Sequence, residues 1–246
     1  MATVHSATVS ERVRPIMAAV RTATLPVSEP HAPQAPSPLP FITISRQAGA
    51  GAWTLAQHLV DKLNALNPAA DPHWTGWDRE LVEKVAADHR IAAELIESLE
   101  DSTHSWLADL FTGMSYDDRP ELVDEARVYH KVAATIRALA KVGHVVIVGR
   151  GGVCITRGMP GGIHIRLIAP MDHRVANMAR QLNYTNTAAK AWVQQMDHNR
   201  AQFYRRYWPG IPLMDDAFAL TLNAGLLSED QMISSIRPLI GAKSSP

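Results

Sequence analysis

The sequence has few of the features that would place it in several large classes of protein. It contains a single cysteine, Cys154, so it can form neither an intramolecular disulfide nor a cysteine-based metal site. The neighbours Val153 and Ile155 are apolar, which is typical of a buried cysteine rather than a nucleophile. Scarce cysteine also fits a reducing compartment, and we expect a cytoplasmic protein.

Long apolar runs and a net charge are missing as well. No apolar stretch approaches the roughly 20 residues that a membrane-spanning helix needs, so no membrane partner is predicted. Lysine plus arginine and aspartate plus glutamate number 24 each, so no overall field attracts nucleic acid or an anionic surface. The 11 histidines include no His-Glu-x-x-His or other recognisable ligand pair, so no protein-held metal is predicted.

The first part of the chain differs in composition from the rest. Prolines recur between Pro26 and Pro40 with alanine and serine between them, which is typical of an extended, solvated linker. We predict a disordered Pro/Ala-rich arm over residues 1–40, with a short docking helix at 10–24 as the alternative. Residues 41–242 are predicted to form one α/β domain with a substantial core.

Strand and helix patterns alternate along this predicted domain. Apolar runs predict strands at 41–44, 145–148, 163–168 and 218–222, with a shorter one near 74–77. Helical periodicity predicts helices at 53–66, 79–88, 121–142, 171–182 and 186–205, two within 90–112, and a last helix beginning at a Ser228–Gln231 capping box. The alternation predicts a three-layer fold, a parallel sheet flanked by helices on both faces.

Ligands in such sheets bind at the carboxyl ends of the strands. The first strand is followed by a small-residue turn and a helix, the order that builds a phosphate-binding loop. When Gly51 is aligned with the second glycine of Gly-x-x-x-x-Gly-Lys-Ser/Thr, Arg46 takes the place of the first glycine. Ala52 then replaces the lysine and Trp53 the hydroxyl residue. The backbone cradle is expected, but the usual cation and metal-ligand hydroxyl are not there.

Arginine recurs near the predicted strand ends. Arg46, Arg79 and Arg150 each follow a strand closely, and Arg174 comes soon after another. Arginine is suited to bidentate contacts with phosphate. A local anion site is therefore predicted in a protein without net charge.

An aromatic stretch near the end of the long helix at 186–205 allows a second interpretation. Phe203, Tyr204, Tyr207 and Trp208 interleave with arginines, a pattern that can stack single-stranded nucleic acid. The helical spacing favours packing instead, and the zero net charge argues against nucleic acid. No nucleic-acid partner is predicted.

Six motifs in order resemble the cytidylate kinase-like family, a branch of the P-loop nucleoside monophosphate kinases. The resemblance covers about residues 41–240 and rests on Ile44–Gly51, Trp77–Leu81, Val146–Gly152, Ile168–Arg174, Asp197–Arg200 with Phe203-Tyr204, and Phe218–Asn223 with Leu227-Ser228. It implies a P-loop nucleoside monophosphate kinase-like fold. It also implies phosphoryl transfer from ATP to a nucleoside monophosphate, with Mg²⁺.

The resemblance further implies which residues contact the two nucleotide substrates. The ATP phosphates would lie on the loop formed by Arg46, Gln47, Gly49, Ala50, Gly51, Ala52, Trp53 and Thr54. The acceptor would be bound by Asp78, Arg79, Arg150, Gly151, Asp197 and Arg200. Charge for the transferring phosphoryl group would come from Arg46, Arg174, Arg180 and Arg200.

Two departures from the family pattern leave the activity open. Gly151 stands where true cytidylate kinases have the aspartate of Gly-Arg-Asp, and Ala52-Trp53-Thr54 stands where members often have Gly-Gly-Arg. Arg46 is the candidate to supply the missing cation, and Trp53 either packs on the sheet or stacks on a base. The alternatives are a kinase for another small acceptor and a catalytically degenerate nucleotide-sensing or partner-binding protein. The sequence leaves the oligomeric state open.

Overall fold

The computed structural model describes residues 38–87, 120–208 and 215–243, without the side chains of 120–127 and 242–243. The predicted arm, apart from residues 38–40, and the two helices predicted within 90–112 lie outside the described residues. No helix among the residues described is both long and apolar enough to cross a membrane.

Strands and helices alternate through most of the described chain. The strands are β1 (Phe41–Arg46), β2 (Thr75–Trp77), β3 (Val145–Val148), β4 (Gly162–Ile168) and β5 (Leu220–Asn223). The helices are α1 (Ala52–Leu66), α2 (Arg79–Ala87), α3 (Pro120–Val142), α4 (Gly152–Ile155), α5 (Met171–Leu182), α6 (Asn186–Tyr207) and α7 (Glu229–Lys243). A 3₁₀ turn, Asp215–Ala217, precedes β5.

The five strands form one parallel sheet in the order β2-β3-β1-β4-β5. In the central strand β1, Thr43 lies beside Ile147 of β3 and His164 of β4. The chain leaves β1 for one side of the sheet and later returns to build the other side. The loop that follows β1 therefore lies at the switch point of the sheet, where open α/β sheets bind their ligands.

Two apolar cores confirm the three-layer arrangement that the sequence predicts. Side chains along the central strands point alternately to the two faces, so Phe41 and Ile147 enter the core that also contains residues of α2 and α3. Ile42 and Val148 enter the opposite core, together with α1 and α7. Both faces of β1 and β3 are thus buried, which accounts for their continuous apolar sequences.

A smaller apolar cluster joins the α5–α6 helical hairpin to the loop after β1. Ala48 is fully buried there among Val175 and Met178 of α5 and Val193 of α6. The hairpin therefore packs directly against the loop and fixes one side of the switch point.

Most predicted elements are confirmed, and the differences have local causes. The capping box is formed as predicted, since Ser228 N–H donates to Gln231 Oε1 and Gln231 N–H donates to Ser228 Oγ. The prediction that the last strand begins at Phe218 is wrong, because Phe218 N–H bonds back to the Asp215 carbonyl in the 3₁₀ turn. Helix α4 was not predicted, since four residues are too few for a periodic pattern.

Candidate active site

The loop after β1 has the backbone shape of an anion cradle. Gly49 and Gly51 have φ values of 76° and 84°, the left-handed region that favours glycine. A Cβ at Gly49 would lie 2.6 Å from the Arg174 carbonyl oxygen, so a larger residue does not fit there. Helix α1 begins at Ala52 without a side-chain cap, and the first N–H groups of a helix have no acceptor within the helix. These groups and the helix dipole make the end of the loop electropositive.

Two clefts open beside this loop. A cleft of about 490 Å³ lies between the loop, α5 and the turn from β5 to α7, and its lining includes Thr54, Arg180 and Leu227. A second cleft, of about 570 Å³, lies between the loop and the end of β2. All eight loop residues predicted to hold the ATP phosphates line the second cleft, as do Asp78, Arg79 and Arg200.

Arg46 is the most heavily buried cation of the second cleft. Its guanidinium lies against the backbone of Gly149, where any side chain would occupy the same space. Burial is the largest cause that lowers the pKa of Arg46 to about 10; Arg200 and Arg150 also lower this pKa, whereas Tyr204 and Asp78 raise it. Among the described residues, no carboxylate lies within ion-pairing distance of Arg46. Arg46 is still charged at neutral pH, so it forms a positive centre that attracts an anion.

Arg150 lies at a sharp turn after β3. Gly149, Arg150 and Gly151 all have left-handed φ values, of 84°, 52° and 69°. The Arg150 side chain forms an ion pair with Glu83 of α2, and Glu83 also lies 3.3 Å from Arg79. Burial lowers the pKa of Arg150 to about 10, with a further contribution from Arg79. Two arginines thus share one carboxylate, while Asp78 and Glu80 add two more carboxylates to the lining on this side of the second cleft, and Arg150 itself lines neither cleft.

Gly151 is closed in by aromatic rings. A Cβ at Gly151 would overlap the indole of Trp208 and lie 3.0 Å from the Tyr129 hydroxyl. Trp208 belongs to the aromatic cluster formed with Tyr129, Phe203, Tyr204 and Tyr207. Since these rings pack against one another, the stretch is core rather than a stacking surface. The same packing leaves no room for the aspartate of the Gly-Arg-Asp motif.

Asp78 and Trp53 both line the second cleft and also have structural contacts. Asp78 Oδ1 accepts a hydrogen bond of 2.8 Å from Leu81 N–H, so its carboxylate caps α2. The Trp53 indole packs beside Gly76 of β2, where an added Cβ would lie 3.5 Å from the ring. Trp53 thus packs against the sheet and is also one of the residues that line the cleft.

Asp197 and Arg174 lie beneath the loop rather than on the lining of either cleft. Asp197 Oδ1 accepts a hydrogen bond of 2.8 Å from Ala48 N–H, and the other carboxylate oxygen pairs with Arg174. Arg174 is only 5 % exposed and also donates to the Ala48 carbonyl at 3.3 Å. Arg200 lies 3.6 Å from Asp197, and burial lowers the pKa of Arg200 while Asp197 opposes this effect.

Sequence reasoning missed three residues that support the site. Asn177 donates to the Gly49 carbonyl at 3.0 Å and accepts a hydrogen bond from Arg180, which is exposed. The spacing of Arg174, Asn177 and Arg180 puts them on one face of α5, a signal that could have identified Asn177. Glu83 and Trp208 had no comparable signal, because their contacts depend on how distant segments pack.

The described residues supply few ligands for a metal ion. Among the described residues, no group of three or more histidine, cysteine, aspartate or glutamate side chains could hold a metal ion. Thr54 and Asp78 offer two oxygen ligands in the second cleft. Mg²⁺ commonly uses one or two protein oxygens and takes the others from phosphates and water. The residues therefore fit a metal bound mainly by the substrate.

The parallel sheet, the glycine loop and the arginines around it define a three-layer α/β protein of the P-loop kinase type. More narrowly, the chain belongs to the cytidylate kinase-like family, whose model matches residues 41–224. A search of curated proteins gives no match.

Solved structures add information on the fold. An uncharacterized protein from Eubacterium ventriosum has 17 % identity and a TM-score of 0.59, with 82 % of this chain and 98 % of that chain covered. Shikimate kinase from Bacteroides thetaiotaomicron has 17 % identity and a TM-score of 0.43, with coverage of 82 % and 97 %. Shikimate kinase from Acinetobacter baumannii, in complex with shikimate, has 15 % identity and a TM-score of 0.44, with coverage of 85 % and 97 %. The first likeness supports the fold alone, and the other two are too weak to bear on fold or function.

Proposed function

We propose that this protein transfers a phosphoryl group from ATP to a nucleoside monophosphate, with CMP as the first acceptor to test. The observation that carries the proposal is the second cleft, where the glycine loop and the uncapped start of α1 face Arg46, Arg79 and Arg200. Backbone N–H groups and guanidinium groups around one cavity suit a ligand with several phosphate oxygens.

The proposed chemistry needs positioning and charge neutralisation more than a nucleophilic side chain. In this account the loop N–H groups hold the ATP phosphates. Arg46 supplies the cation that the loop lacks at Ala52, because it lines the cleft at the first position of the loop and is charged at neutral pH. Thr54 and Asp78 would hold Mg²⁺, which when bound would neutralise phosphate charge.

The acceptor is proposed to bind on the side of the cleft formed by β2 and α2. Arg79 lines the cleft there, and Arg150 is tied to it through Glu83. In this proposal the Arg79 guanidinium contacts the acceptor phosphate, and Arg150 does so once the phosphate displaces Glu83 as its partner. The aromatic packing at Gly151 removes the space for a carboxylate that contacts the acceptor in true cytidylate kinases, so another group must select the base.

A second candidate function is nucleotide sensing or partner binding without phosphoryl transfer. The ion pair between Arg150 and Glu83 favours it, because the pair partly neutralises a cation that the acceptor would need. The replacement of the loop lysine by Ala52 and of the hydroxyl residue by Trp53 also favours it. This function predicts that ATP binds while no acceptor is phosphorylated.

Calorimetric titration of the full chain with ATP and with CMP, each in the presence of Mg²⁺, followed by an assay of CMP-dependent ADP release on the same sample, separates these functions. The kinase proposal predicts that both nucleotides bind. Binding of ATP alone would favour the sensing function. If a folded sample binds neither nucleotide, the kinase and sensing functions are contradicted, the loop is part of the scaffold only, and partner binding becomes the function to test.

A further inference from the structure

The hairpin formed by α5 and α6 holds the glycine loop through its backbone. Asp197 of α6 accepts from Ala48 N–H, and Arg174 of α5 donates to the Ala48 carbonyl. Asn177 of α5 donates to the next carbonyl, that of Gly49. Both backbone polar groups of Ala48 are therefore satisfied by the two members of one ion pair, Asp197 with Arg174.

The carboxylate of Asp197 is occupied by these contacts. One oxygen accepts from Ala48 N–H and lies 3.6 Å from Arg200, and the other pairs with Arg174. Asp197 lines neither cleft beside the loop, whereas Arg200 lines the second one. A carboxylate with this set of partners is directed at the protein and not at a ligand.

Such a restraint matters because the loop contains two glycines. Gly49 and Gly51 have many accessible backbone conformations, and ordering them at the moment of binding costs entropy. The burial of Ala48 among α5 and α6 side chains and the bonds to its backbone fix the start of the loop in advance. A loop that is ordered before its ligand arrives binds that ligand more tightly.

We propose that Asp197 is a positioning residue that, with Arg174, holds the glycine loop in its phosphate-binding shape and does not bind the acceptor. The proposal rests on the proposed function insofar as the loop is the ATP site. It assigns to Asp197 a role different from the acceptor contact that the family resemblance implies.

The first test compares the dissociation constants of ATP and CMP for the Asp197→Ala variant. We expect ATP binding to weaken by about tenfold or more, since a charge-assisted hydrogen bond that orders the loop is lost, while CMP binding stays unchanged. Asp172→Ala, an exposed change on α5, is the matched control and should alter neither constant. CMP binding that weakens as much as ATP binding, or more, would overturn the proposal.

The second test needs no nucleotide. Hydrogen exchange of residues 46–52 in the ligand-free protein should be faster in Asp197→Ala than in wild type or Asp172→Ala. Because Asp197→Ala leaves the buried Arg174 without its partner, the double variant Arg174→Met/Asp197→Ala, which removes both charges, is measured beside it. Unchanged exchange in a folded variant would overturn the positioning role, whereas a wild-type protein that binds no nucleotide contradicts only the proposed function.

Discussion

At the scale of single residues, Arg46 is the proposed replacement for the missing lysine. Arg46 lines the second cleft, and its guanidinium is buried against Gly149 and close to other arginines. We predict that Arg46→Met lowers kcat about a hundredfold, because one preorganised electrostatic donor contributes about 3 kcal/mol to a transition state. Steady-state ADP release measures this loss.

Two companion variants make the Arg46 result specific. Arg46→Lys keeps a positive charge and should retain more activity than Arg46→Met. Arg237→Met, an exposed change on α7, removes the same charge away from both clefts and should leave the rate unchanged. Equal losses in Arg46→Met and Arg237→Met would mean that net charge, and not the position of Arg46, governs the rate.

Arg150 gives a second prediction at the residue scale. Arg150→Met should weaken CMP binding about tenfold and leave ATP binding unchanged, because Arg150, which lines neither cleft, pairs with Glu83 on the proposed acceptor side of the second cleft. Glu83 keeps Arg79 as a partner, so the variant leaves no isolated carboxylate. Separate calorimetric titrations with the two nucleotides give the answer, with the exposed Arg157→Met as control. An unchanged CMP constant would remove Arg150 from the acceptor site.

At the scale of elements, the turn between β3 and α4 is fixed by its contact with Trp208. Gly151→Asp, which restores the family motif, should destabilise the fold by more than about 2 kcal/mol, since the backbone is left-handed and the indole fills the space. In a Trp208→Ala background, which is itself destabilised by the loss of a buried ring, Gly151→Asp should cost less than in wild type but not nothing, because the overlap is gone and the backbone strain stays. Urea unfolding measures both variants, and a fully stable Gly151→Asp protein would contradict the packing.

A helix or strand could be predicted from the sequence when a local pattern of residues determines it. The apolar runs of β1 and β3 identified them, because both strands are buried on two faces. The helix predicted at 121–142 ends where expected, because Gly143, directly after α3, has the left-handed φ of 78° that is typical beyond a helix end. The start of β5 was predicted two residues early, because the hydrogen bond of the 3₁₀ turn leaves no signal in the apolar pattern.

The part of the site that could be predicted is the part formed by residues at the carboxyl ends of the strands, because these ends converge at one edge of the sheet. The rule that ligands bind at the carboxyl ends of strands is enough to place Arg46 and Arg79 beside one cleft, because each residue closely follows an apolar run. The contact of Asn177 with Gly49 joins residues 128 apart in sequence and depends on how α5 packs on the loop. The pairing of Arg150 with Glu83 depends in the same way on the packing of α2.

At the scale of the whole molecule, the predicted arm should be dispensable for the fold. Pro40 belongs to the domain, since its carbonyl accepts a 2.8 Å hydrogen bond from His144 N–H. Deletion of residues 1–37, which keeps this contact, should change Tm by less than about 2 °C, because a loss of 1 kcal/mol moves Tm by roughly 2–4 °C at this size. Differential scanning calorimetry measures the Tm of both proteins. A fall in Tm well beyond that range would mean that the arm packs on the domain.

In the complete molecule, the proposed function requires the loop, the arginines and the acceptor side to act on two substrates at once. The most direct measurement follows the labelled γ-phosphate of ATP in the presence of CMP, Mg²⁺ and the full chain, with the products separated. The account predicts that label appears in CDP and that Arg46→Met strongly slows its appearance. Label that remains in ATP, or is released only as inorganic phosphate, in a sample that binds both nucleotides would contradict it.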